Sequence, residues 1–241
     1  MRPCARRSKN ELKPWLVEQW CFAPTADPAF VAQMEDVLAV YARSYAATQP
    51  VVCLDETSRQ LLGETREPRP VAPGHPARYD PEYVRGGVAQ LFLVTEPLRG
   101  WRHVSVGERR TRLDFAQCIK ELVDVHYPGA ERIVLVMDQL NIHSTASLYA
   151  AFAPAEARRL AAKLEIHHTP RHGSWLNMAE LELSVLARQC LRQRLPNQAA
   201  MRDAVTAWAA RRNAAIQAID WQFTTEDARI KLRRLYPAFD V

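Results

Sequence analysis

PVVCLDET (50–57) and RIVLVMDQ (132–139) share one design, a short β-branched apolar run with an aspartate at its end, Asp55 in the first and Asp138 in the second. Runs of this length, apolar at successive positions, predict strands buried on both faces. If the two strands are parallel neighbours, both carboxylates emerge at one sheet edge, where α/β folds place their ligands. An aspartate after a strand also serves as a turn residue or as the cap of the next helix. One such strand decides little, but two in one chain point to a site.

Around these strands the pattern alternates. Residues 29–45 space Phe30, Met34, Val37, Leu38 and Tyr41 at helical intervals after a start signal at Asp27-Pro28. The stretch 61–87, with six prolines or glycines before Tyr79, predicts an irregular loop with room for a short strand. VAQLFLVTEP (88–97) and GWRHVSVGE (100–108) flank a Pro-Leu-Arg-Gly turn and read as a hairpin. A helix over 110–128 aligns Phe115, Ile119, Leu122, Val123 and His126, an Ala-rich helical stretch covers 145–163, and EIHHTP (165–170) is a further strand. SWLNMAELELSVLARQCL (174–191) predicts a helix with Ser174 as N-cap, followed by a helix over 197–214 and a basic helical tail over 229–237. The order predicts an α/β fold with parallel and antiparallel pairs in one sheet.

Composition narrows the function. The chain has 241 residues, 48% hydrophobic and 24% charged, enough for an ordinary globular core. No apolar run approaches the roughly 18–20 residues that span a bilayer, and the N-terminal residues show no secretory pattern. Five scattered cysteines without a CxxC pair exclude a disulfide framework and fit a reduced compartment. Net charge is +5, but residues 1–13 carry +4 and residues 188–234 carry +6 around a middle of −4. That distribution suits a polyanionic partner and carboxylate chemistry between the basic ends, although solvated helix faces give the same arithmetic.

The helix over 174–191 supplies a third acid. On a wheel started at Leu176, Glu180 falls at the edge of the apolar stripe while Glu182 points about 160° from its centre and reads as the solvated residue. Three convergent carboxylates without thiolates suit a hard cation such as Mg²⁺. Two such ions can activate a hydroxyl and steady the leaving oxygen in phosphoryl transfer. A strand-end aspartate also serves haloacid-dehalogenase-like phosphatases, but those need a second aspartate two residues on, and Thr57 stands there. Cys53 reads as inert packing on the strand face opposite Asp55. His143, His167, His168 and His172 read as a phosphate-facing cluster rather than a zinc site, lacking thiolates and ligand spacing.

The ordered blocks VVCLDE (51–56), LFLVTEPLRGWRHVSV (91–106), DFAQCIKELVDVHYP (114–128), VLVMDQLNIH (134–143), HTPRHGSWLNMAELELSVLARQCL (168–191) and WQFTTEDARIKLRRLYP (221–237) together resemble bacterial insertion-sequence transposases. The resemblance is to the insertion sequence 630 family, related to the mariner transposases, and covers residues 10–238. It implies a ribonuclease-H-like fold, a mixed five-stranded sheet flanked by helices, with an Asp–Asp–Glu triad binding Mg²⁺ or Mn²⁺ as two ions. Asp55 matches the first acid, Asp138 the second, followed by Asn141 and His143, and Glu180 the third, within SWLNMAE.

The implied reaction is cleavage of double-stranded DNA at terminal inverted repeats and strand transfer into a TA target by a homodimer, in the nucleoid-associated cytoplasm. His143, Arg171, His172, Ser174, Asn177, Arg188 and Arg192 are candidate DNA contacts, with Ser174 and Asn177 alternatively orienting the acid. The spacing of 42 positions from Asp138 to Glu180 exceeds that usual in the mariner group, which predicts an extra helix over 150–163. Residues 1–46 resemble only the end of the family's helix-turn-helix region plus a helix, 47–215 the catalytic domain, and 216–241 a basic helical tail. The expectation is a truncated copy with impaired activity. The rival reading is a non-catalytic fragment that binds DNA or an intact protomer.

Overall fold

The computed structural model describes residues 26–237; the remaining residues, with Cys4, Cys21 and the SKNELKPW segment, lie outside it. Helix α1 (Pro28–Tyr41) starts where the Asp27 carboxylate accepts the Phe30 N–H at 3.0 Å and buries Phe30, Met34, Val37 and Leu38. Strands β1 (Val51–Glu64), β2 (Tyr83–Glu96), β3 (Trp101–Gly107), β4 (Ile133–Met137) and β5 (Leu164–His168) form a single five-stranded sheet in the order β3-β2-β1-β4-β5. The pairs β1/β2 and β2/β3 are antiparallel, and β1/β4 and β4/β5 are parallel. The hairpin between β2 and β3 closes at Gly100, whose φ of 64° and close approach to the backbone of Ile216–Ala218 admit no Cβ.

Helices cover both faces. α2 (Arg112–Glu121), capped by reciprocal bonds between Thr111 and Asp114, continues into a wider π-type turn over Leu122–His126. With α3 (Thr145–Ala151) and α4 (Pro154–Ala162) it packs Phe115, Ile119, Leu148 and Leu160 on Leu54, Val94 and Leu135. Pro154 restarts the chain as a second helix, so the Ala-rich stretch is two helices, with α4 lying within 150–163. The opposite face carries α1, α5 (Met178–Gln189), α6 (Gln198–Ala214) and α7 (Thr225–Lys231), around a cluster containing Cys53, Leu93, Leu186 and Trp208.

One segment departs from expectation. β1 and β2 extend as a twisted antiparallel ribbon through Glu64 and back from Tyr83, with a bulge between Gln60 and Leu62, so the irregular loop shrinks to 65–82. Arg194 anchors it: its guanidinium donates to the Glu64 carboxylate at 2.7 Å and to the carbonyls of Asp80 and Glu82 at 2.9 Å. A partner 110 or more residues away in sequence thus orders a stretch whose prolines and glycines read locally as an irregular loop.

Candidate active site

The site begins with strand register. β1 and β4 pair in parallel from Val51–Val134 to Cys53–Val136, and the same register carried two residues further sets Asp55 level with Asp138. Asp55 does not end its strand, as expected from sequence, because β1 continues to Glu64 along β2. What ends is the ladder to β4. The chain turns after Met137, with the Asp138 carboxylate accepting the Leu140 N–H at 3.0 Å. Cys53, two residues before Asp55, shares its face rather than opposing it, as a period of two requires, and is sealed in the core beside the Tyr41 hydroxyl.

The third acid comes from α5. Its start is set by Asn177, not Ser174: the Asn177 side-chain oxygen accepts the Ala179 N–H at 3.1 Å, and its amide donates to the Leu54 carbonyl at 2.8 Å. Residues 174–176 form a separate tight turn. Asn177 therefore ties the first turn of α5, which holds Glu180, to the strand residue before Asp55. Burial pushes the Asp55 carboxyl up to about 7; the Glu56 N–H, donating at 2.8 Å, opposes this, and the charges of Glu56, Asp138 and Glu180 add to it. The three carboxylates thus lie within one electrostatic neighbourhood although they come from three separate segments.

The wheel argument for Glu180 fails in detail. Glu180 is exposed, and Glu182 is 2% exposed in the helix face that also buries Met178, Ala179 and Leu186. Glu182 is tolerated there because Arg102 from β3 (Nε to Oε2, 3.2 Å) and Arg212 from α6 (Nη2 to Oε1, 2.8 Å) neutralise it. Leu176, where the wheel started, lies outside the helix.

Glu56, which the sequence reading gave no role, completes the neighbourhood through His143. His143 is fully buried, with Nδ1 2.6 Å from Asp138 Oδ1 and Nε2 3.2 Å from Glu56 Oε2. Burial opposes charge on this imidazole, yet the two carboxylates push it up to about 9, and its proton holds Asp138 below the ordinary carboxylate range. Glu56 lies on the Leu54 face of β1, against the α2 layer. A charged residue continuing the apolar alternation Val52, Leu54 was the available signal.

Among the candidate DNA contacts, His143 and Asn177 are withdrawn as surface contacts, since each is about 98–99% buried and bonded within the protein. Arg171, His172, Ser174, Arg188 and Arg192 are exposed. His172 takes a left-handed φ of 65° in the turn before α5. His167 instead pairs with Asp36 at 2.7 Å and Glu165 at 3.0 Å, and so serves the α1–β5 contact.

Residues 50–202 match the family model of the DDE superfamily endonuclease, spanning the sheet, α2 to α5 and the start of α6. The chain belongs to the DDE superfamily endonucleases. Among solved structures, this endonuclease resembles the Mos1 strand transfer complex (TM-score 0.59, 14% identity, 96% of this chain and 68% of that one). It also resembles the Mos1 mariner paired-end complex with Mn (TM-score 0.54, 15% identity, 87% and 62%) and that with Mg (0.54, 16%, 96% and 69%). The fold is accordingly the α/β, ribonuclease-H-like one. The chain spans 62% and 64% of the first two Mos1 chains it matches. No curated protein matches it by sequence. Among the described residues no helix is long and apolar enough to cross a membrane.

Proposed function

We propose that this DDE superfamily endonuclease cuts DNA at transposon ends and joins the freed 3′ ends to a target, with Asp55, Asp138 and Glu180 as the catalytic carboxylates. The observation that carries the reading is the neighbourhood of these acids: the β1–β4 register, carried two residues past its last pair, sets Asp55 level with Asp138 just beyond the end of β4, and the charges of Asp138 and Glu180 raise the Asp55 carboxyl. Such a donor set, all oxygen and mutually repelling, fits Mg²⁺ or Mn²⁺, as one ion or two. When bound, the ions lower the pKa of an attacking water or 3′-hydroxyl and stabilise the leaving oxygen.

The chain's own residues prepare that chemistry. His143, braced by Glu56, fixes the Asp138 carboxylate, and Asn177 fixes the turn bearing Glu180 against β1. Arg188 on α5, the helix of Glu180, and Arg171 and Arg192 in the segments flanking it are exposed and supply positive charge for a DNA backbone. Terminal inverted repeats as the cleaved ends, a TA target, a homodimer and membership of the insertion sequence 630 family belong to the same reading.

The test is nicking of a supercoiled plasmid with Mg²⁺ or Mn²⁺. Wild type should nick only with metal, and Asp138→Asn or Glu180→Gln should each reduce the rate by about 10²-fold or more. DNA binding without nicking, by a chain whose circular dichroism is native, would instead support a non-catalytic DNA-binding role. Joining assays with TA-containing and TA-free targets examine the target preference separately.

A further inference from the structure

Three metal-binding side chains gather on the opposite face of the sheet from Asp55. His103 on β3 is level with Val94 and, through it, with Leu54, so it lies on the face turned toward α2. Glu121 ends α2, and His126 ends the π-type turn. In a regular α-helix, residues five apart point about 140° from each other. Here the Tyr127 N–H reaches back to the Leu122 carbonyl at 3.0 Å, and the wider turn brings His126 round over Glu121.

The resulting distances are those of a coordination shell. His103 Nε2 lies 3.3 Å and His126 Nε2 3.7 Å from the same Glu121 oxygen, and one donor atom from each residue lies within 4.8 Å of the others. Donors around a tetrahedral zinc ion, at bonds of roughly 2.0–2.1 Å, sit about 3.3 Å apart. His126 Nε2 is buried and has no hydrogen-bond partner among the described residues. Trp101 packs on the His126 ring at 4.9 Å and Ser105 Oγ lies 3.4 Å from the second Glu121 oxygen, so the ligands are braced from behind.

We propose that His103, Glu121 and His126 form a second metal site, which takes a borderline divalent transition ion, Zn²⁺ foremost, and clips the edge strand β3 to the end of α2. Two imidazoles and one carboxylate select such an ion over Mg²⁺, which prefers an all-oxygen shell. His103 Nε2 also lies 3.2 Å from Ser105 Oγ, a contact that an ion at this nitrogen would displace. The Glu121 side chain is 41% exposed and keeps the site open to an entering ion and to a water ligand.

The test uses the full chain in excess Mg²⁺, added to saturate the proposed carboxylate site, titrated with Zn²⁺ by calorimetry and with Co²⁺ by visible absorption. One ion should bind per chain in wild type and in Asp138→Asn, with a change in Trp101 fluorescence. In Glu121→Gln and His126→Gln, binding should weaken by at least the roughly 10–100-fold that loss of an outer-shell partner costs. Glu121 is exposed enough that its isosteric replacement keeps the fold, which circular dichroism of the metal-free variant checks. Absence of Zn²⁺ binding to wild type overturns the proposal. So does binding that is unchanged in both variants, or lost only in Asp138→Asn.

Discussion

At Asp55 a carboxyl loses water and faces three like charges, so the folded chain holds its proton to about pH 7 where the unfolded chain releases it near 3.8. The folded state therefore binds more protons between these values. The contribution of Asp55 to stability is full below the unfolded pKa and is lost as pH rises through about 7. Without metal, wild type should lose stability relative to Asp55→Asn across that interval, read as melting temperature by circular dichroism in chelator. Added Mg²⁺ should stabilise wild type above pH 7 and Asp55→Asn much less. Parallel melting curves for the two proteins would place Asp55 outside a repelling cluster.

The residues that surround Asp55 differ in how they could be read. Asp55 and Asp138 were visible because each breaks an apolar run, a local pattern. Glu56 and His143 were not paired from sequence, because the ion pair between them spans strand and loop and their burial is set by α2 packing above.

Among the elements, α5 carries the most consequence. Its N-cap, Asn177, performs two jobs with one amide, satisfying the helix start and gripping the Leu54 carbonyl. Asn177→Ala removes a cap and orphans a buried acceptor, and should cost about 2–3 kcal/mol in urea denaturation. Nicking should fall further than stability explains, since Glu180 sits one turn from the lost anchor. A loss below about 0.5 kcal/mol would mean that the strand–helix tie is made elsewhere. Helix existence here was legible in the apolar spacing, while its first residue was not. Ser174 and Asn177 are both competent caps, and only the contact with β1 selects between them.

Across the whole molecule, the two faces of the sheet divide the labour. The α2 face supports Asp138 through His143 and Glu56, and the α5 face carries Glu180 and a buried ionic knot of Arg102, Glu182 and Arg212. That knot joins β3, α5 and α6, and Arg102 also donates to the Gln217 carbonyl at 2.6 Å. Glu182→Leu strands a fully buried guanidinium and should destabilise by about 3–5 kcal/mol in urea denaturation. Replacing Arg102 with Met in the same chain should recover much of that loss, because the uncompensated charge goes with it. No recovery in the double variant would show that Arg102 acts through its bond to Gln217 instead.

Strand and helix order, the hairpin and the two aspartates that close the apolar runs follow from periodicity and turn chemistry, which act over a few neighbouring residues and so are written in consecutive letters. The face of α5 that is buried, the extended β1–β2 ribbon and the pairing of His143 with Glu56 and of Glu182 with Arg212 depend on charges and carbonyls supplied from tens to more than a hundred positions away. Whether a carboxylate belongs in a core is a question of desolvation against pairing. Pairing is settled only when the chain has brought the partner into place.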